Sequence, residues 1–252
     1  MPTPHSPQNH FEGKSIPTHL KEARIKGARA AAETHGTEIS GQKSAFADTL
    51  KDTSLTLTLL WLLLFPLLPL KQTLLALILF FAGWIFWKTA RSACFGWARL
   101  ERLHRVIEEE RWEIEHHREQ EREELFELYR AKGFEGELLS EVVNVLMADD
   151  NRLLEIMLEE ELGVPLEAYE HPLQQASGAF LGALAALLIG SAAFFLFSSA
   201  GVISAFFLLF LLAGVFTAKI EKIPIIPALV WNAAIFCLSG GLIFFFQKIV
   251  NS

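Results

Sequence analysis

The sequence predicts an all-α fold: a five-span helical membrane protein with a three-helix acidic cytoplasmic domain inserted between spans 2 and 3. Three observations point there. More than half of the 252 residues (52%) are hydrophobic. They are gathered into two blocks, 55–87 and 176–250, against roughly 20 residues for one bilayer crossing. Between the blocks, residues 96–171 hold 22 of the 29 acidic residues and 9 of the 22 basic ones, a net charge of −13 against −7 for the whole chain. These contrasts divide the chain into a polar N-terminal tail with an amphipathic helix (1–51), spans 1 and 2 (52–97), a charged helical domain (98–171) and spans 3 to 5 (172–252).

Residues 1–16 carry three prolines and read as a disordered tail. Residues 18–35 have helical spacing, with Leu20, Ala23, Ile25, Ala28 and Ala31 as weak apolar positions. This helix is basic and suits either an anionic membrane surface or a plain surface position. The first 50 residues hold no long apolar run. The expectation is therefore no cleavable signal peptide, with the first span acting as its own insertion signal.

A bilayer core needs roughly 20 apolar residues at about 1.5 Å each. Residues 53–70 and 72–93 meet this as a tight hairpin, turned by Pro66 and Pro69 with Lys71 at the tip. A single bent helix would strand Lys71 in lipid. The second block gives spans at 175–197, 202–218 and 225–246, separated by 198–201 and by the polar break from Lys219 to Pro224. Lys88, Arg91, Arg99, Lys219 and Lys222 flank one side, which places the N-terminus and the central domain in the cytoplasm. Cys94 and Cys237 are far apart and form neither a disulfide framework nor a zinc motif.

The acidic charge excludes nucleic acid as a partner and favours cations. Residues 98–130 contain no Pro or Gly and read as one long helix or two nearly collinear ones. Along it run Glu110xxGlu113 and Glu121xxGlu124, in line at about 100° per residue, with His117 in the same stripe. Like charges at such spacings destabilise a helix by a few tenths of a kcal/mol per pair, a repulsion that divalent ions would relieve. Two short amphipathic helices, 142–147 and 152–162, are separated by Asp149-Asp150-Asn151 at a cap position, and the second carries Met157 and Glu161 one turn apart. Carboxylates suit hard or borderline divalent ions, and an imidazole or thioether shifts the preference toward transition metals. The candidate metal ligands are thus Glu110, Glu113, Glu121, Glu124, Glu161, Met157 and His117. Fe²⁺ or Mn²⁺ is the expected ion, with Zn²⁺ as a further candidate. Glu101xxHis104 and Glu113xxHis116 have the spacing of di-iron sites, but such sites draw their motifs from different helices. No nucleophile triad, phosphate loop or nucleotide fingerprint is present, so the chain does not read as an enzyme.

Glu110xxGlu113, Glu121xxGlu124, Leu128-Tyr129-Arg130-Ala131-Lys132-Gly133 and Met157-Leu158-Glu159-Glu160-Glu161-Leu162-Gly163 together resemble the vacuolar iron transporter family. The similarity covers about 92–197. The resemblance implies a homodimer in a lipid bilayer whose cytoplasmic domain collects Fe²⁺ and other divalent ions, and which moves them from the cytosol in exchange for protons. It places Glu110, Glu113, Glu121, Glu124 and Glu161 at metal-binding glutamates, and Met157 at the first of two adjacent methionines, with Leu158 in place of the second. Two departures stand out. Residues 55–70 hold no carboxylate where the family usually has an aspartate, and Ser92-Ala93-Cys94-Phe95-Gly96-Trp97-Ala98 lacks the Met and Glu of the usual span 2 ending. The expected function is therefore a divalent-metal exporter in a bacterial inner membrane. The alternative is a membrane-anchored metal buffer or sensor that does not transport.

Overall fold

The computed structural model describes residues 15–31, 41–163 and 171–250. Among them all regular structure is helical: α1 (Ile16–Ala31), α2 (Gln42–Leu64), α3 (Leu70–His116), α4 (Arg118–Ala131), α5 (Gly136–Met147), α6 (Asp150–Ile156), a π-helical turn (Met157–Glu161), α7 (Pro172–Ile220) and α8 (Ile225–Val250). The chain forms two compact units. One comprises residues 1–34 and 98–169, the other 35–97 and 170–252. Residues 1–14 of the tail expected over 1–16, residues 32–35 of the expected N-terminal helix and 164–170 of the acidic domain lie outside the described residues, and α1 already begins at Ile16.

Among the described residues, four segments are long and apolar enough to cross a membrane: Leu70–His116, whose part from 98 onward belongs to the first unit, Pro172–Ser198, Gly201–Ile220 and Ile225–Ile249. α7 is broken at Ser198, whose left-handed φ of 64° interrupts the helix where a turn at 198–201 was expected. Lys222, at φ 56°, closes the break before α8. The five-span count meets four such segments. α2 starts at Gln42, eleven residues before the expected Thr53, and so includes Lys43, Asp48, Lys51 and Asp52. Its apolar stretch is correspondingly short. The first turn falls at the two prolines as expected, although Leu70 opens α3 instead of closing α2.

α2 packs on α7 through backbone contact. A Cβ on Gly178 would lie 2.1 Å from the Gln42 carbonyl oxygen, and one on Gly182 would lie 2.3 Å from that of Phe46. The four-residue spacing repeats on both helices, the small-residue pattern that lets helices approach closely in lipid. Gly182→Val should cost at least about 1–3 kcal/mol through overpacking. The check is the melting temperature of the purified protein in detergent, with Gly241→Ala, whose Cβ would meet nothing within 4 Å, as the unaffected control. Gln247 on α8 donates to the carbonyls of Leu62 (2.7 Å) and Leu63 (3.2 Å), satisfying two acceptors that the end of α2 leaves open.

The longer α2 carries carboxylates, Asp48 and Asp52, just ahead of the stretch 55–70 that holds none. Lys88, expected as a flanking charge, is 1% exposed and its Nζ donates to Asp52 Oδ2 at 2.9 Å. Trp84 donates to Thr53 Oγ1 at 3.0 Å beside it.

The first unit is built on a stripe logic. α4 buries Glu121, Glu124, Leu125 and Leu128, positions i, i+3, i+4 and i+7 of one face. α3 buries Leu103, Val106, Glu110 and Ile114 in the same rhythm. After the cap at Asp149, whose side chain accepts from Arg152 N, the chain buries residues in adjacent pairs: 153/154, 157/158 and 161/162. A strict spacing of four overshoots the α-helical turn by about 40° each time. The wider π turn, closed by Leu162 N to Met157 O at 3.2 Å, absorbs that drift and keeps Met157 and Glu161 on the inner face.

Candidate metal centre

Carboxylates occupy core positions of this small unit. Glu110 is 4% exposed, Glu121 and Glu124 are fully buried and Glu161 is 3% exposed. They come from α3, α4 and the π turn. The expected helix through residue 130 is where the structure departs most from the sequence reading. On one straight helix Glu110 and Glu121 would be about 16 Å apart along the axis, too far to share an ion. The helix is instead interrupted at His117, with φ −127° and ψ 33°. α4 turns back from there, and carboxylate oxygens of Glu110, Glu121 and Glu161 all lie within 4.8 Å of one another.

A second grouping shares Glu161. The oxygens of Glu124 and Glu161 and a ring nitrogen of His19 also lie within 4.8 Å of one another. His19 Nε2 is 3.7 Å from Oε1 of each of the two glutamates. His19 was not among the residues expected from sequence, because α1 showed no link there to the acidic domain. The structure docks α1 in this unit. Ala23 joins the apolar cluster, Lys26 Nζ meets Glu109 Oε2 at 2.6 Å, and Arg24 donates to the Glu160 carbonyl at 3.3 Å.

The remaining candidates fall at the rim or in the apolar wall. Glu113 is half-buried, and its charge acts on Glu110, Glu121, Glu124 and Glu161. His117 belongs to neither grouping. It forms the break itself, with its ring 5.4 Å from Trp112 and edge-on to it. Met157 is fully buried in the apolar cluster with Leu125, Leu153 and Leu158.

Burial of several carboxylates together has a large electrostatic cost unless something neutralises them. Burial is the leading cause of every shift here. It pushes Glu121 from the ordinary 4.5 up to about 11, aided by the charges of Glu110, Glu124 and Glu161. Glu124 rises to about 8, even though a hydrogen bond with Glu161 pulls it down. Glu110 and Glu161 are held well above the ordinary range, first by burial; the charges of Glu161, Glu113 and Glu124 then raise Glu110, and the charge and hydrogen bond of Glu124 and the charge of Glu113 raise Glu161. Burial opposes the charge on Lys26, but Glu109, Glu113 and Glu110 raise its pKa overall. Oε1 of Glu110 finds no hydrogen-bond partner among the described residues. A buried acceptor in that state is uncommon and marks a place for a cation or a proton. The set is oxygen-rich, with one imidazole at its edge, and fits a divalent ion of intermediate softness.

The family model of the VIT family matches residues 98–246. The chain belongs to the VIT family. The match takes in residues 98–163 of the acidic unit, α7 and most of α8, while α1, α2 and residues 70–97 of α3 lie outside it. No curated protein and no solved structure matches the chain. Membership of the VIT family points to metal-ion transport across a membrane and away from enzymatic turnover. With the apolar helices of the second unit, it makes the chain a multi-pass membrane protein.

Proposed function

We propose that this protein exports divalent metal ions, Fe²⁺ or Mn²⁺ with Zn²⁺ as a further candidate, from the cytosol in exchange for protons. The observation that carries this reading is the convergence of Glu110, Glu121, Glu124 and Glu161, from three elements, at core positions where leucine would otherwise sit. Such a cluster holds protons when empty and releases them to a metal, which links ion capture to pH. On this reading α2 completes a five-span bundle and the acidic domain lies in the cytoplasm of a bacterial inner-membrane protein. Two copies pair in the bilayer, and nucleic acid is no partner.

A second reading, a membrane-anchored metal buffer or sensor, draws support from Lys88. Its ammonium is buried and already paired with Asp52 in the membrane unit, and a fixed positive charge repels a passing cation. Mn²⁺ uptake into proteoliposomes under a proton gradient separates the two. Transport predicts uptake that collapses when the gradient is dissipated. Stoichiometric Mn²⁺ binding without uptake would leave only the buffer or sensor.

A further inference from the structure

We propose that α1 is part of the metal centre, with His19 supplying an imidazole ligand that makes the site prefer borderline transition-metal ions over hard ones. The inference rests on the reading of the glutamate cluster as a metal site. His19 Nε2 lies 3.7 Å from both Glu124 Oε1 and Glu161 Oε1. That is wider than a hydrogen bond, at about 2.7–3.2 Å. It is close to the separation of about 3.4 Å between two ligands of one tetrahedral ion with bonds near 2.1 Å. Drawing the three atoms in by a few tenths of an ångström would place them around a single ion. Glu110, buried with an unpartnered Oε1, independently marks the adjoining carboxylate group as a place for a cation, and Glu161 belongs to both groups.

The docking of α1 is specific. His19, Ala23 and Gly27 recur every four residues and so share one face. Gly27 packs so tightly on the backbone of Leu162 that a Cβ there would lie 2.1 Å from its carbonyl oxygen. Lys26 reaches Glu109 from the same helix. These contacts fix the register of α1, and in that register His19 Nε2 stands between Glu124 and Glu161. α1 lies outside the 98–246 match, so the imidazole is a contribution of this chain's own N-terminal segment.

Oxygen ligands alone serve Mg²⁺ and Mn²⁺ alike, whereas an imidazole nitrogen favours Mn²⁺ and Zn²⁺. The test uses the full chain in detergent, titrated separately with Mn²⁺, Zn²⁺ and Mg²⁺. His19→Ala and His19→Gln should weaken Mn²⁺ and Zn²⁺ binding about ten- to a hundredfold and leave Mg²⁺ binding within about twofold, so that selectivity collapses. Pulsed EPR of bound Mn²⁺ should show a directly coordinated imidazole nitrogen in the wild type. That signal should vanish in His19→Ala and persist in His117→Ala. An unchanged nitrogen signal or unchanged selectivity in His19→Ala overturns the proposal while leaving the glutamate site standing. A wild-type protein that binds none of the three ions overturns the glutamate reading as well.

Discussion

Glu121→Leu should make the metal-free protein more stable and at the same time abolish metal binding. Glu121 is fully buried on a face it shares with Leu125 and Leu128, so leucine continues a stripe that already packs. Burial pushes the Glu121 pKa up to about 11, so the carboxyl group sits neutral at pH 7 among Glu110, Glu124 and Glu161. Replacing buried ionisable groups by apolar residues of similar volume is often neutral or stabilising by about 1–4 kcal/mol. We expect a gain of about 2 kcal/mol, within that range, in the absence of metal. With saturating Mn²⁺ the order should reverse, because only the wild type gains binding free energy. Thermal unfolding of the purified chain with and without Mn²⁺ reads both effects. A metal-free Glu121→Leu protein that melts below the wild type would mean that the contacts of the carboxyl group outweigh the cost of burying it.

Much of the architecture was legible in the sequence, and the failures have physical causes. The apolar blocks, the turn at Pro66 and Pro69, the interruption at 198–201 and the cap at Asp149 all rest on local signals that the structure respects. The start of α2 was misjudged because helices do not end where hydrophobicity ends. Asp48 and Asp52 continue the helix and bring a carboxylate to Lys88. The break at His117 left no signal at all. There is no Pro or Gly there, and Glu113 and Glu121 read as neighbours in one stripe. The glutamates were singled out for lying in line, yet they meet because the line is folded. His117 was singled out by the same straight-helix geometry, and its place at the break keeps it out of both groupings. His19 was invisible for another reason: its partners are more than 100 residues away, and only the docking of α1 brings them together.

Metal affinity should rise steeply with pH while the stability of the metal-free protein falls. In the folded, metal-free state Glu124 titrates near 8 and Glu121 near 11, whereas unfolded glutamates titrate near 4.5. Between those limits the folded protein holds more protons than the unfolded chain, so raising the pH favours unfolding. The stabilising contribution is fully present below about 4.5. It is lost through about 8 for Glu124 and continues to fade toward 11 for Glu121. A metal ion needs the ionised carboxylates and must displace those protons. Each displaced proton makes affinity change about tenfold per pH unit below its pKa, so two of them give about a hundredfold between pH 6 and 7. Isothermal titration of the full chain with Mn²⁺ in buffers of differing ionisation enthalpy should report at least two protons released per ion at pH 6.5. Saturating Mn²⁺ should also flatten the fall of melting temperature between pH 6 and 9. An affinity independent of pH would show that the carboxylates are already ionised when empty. Their burial would then have to be offset by Lys26 and the other cations of the unit, leaving no electrostatic reason for the cluster to take up a metal.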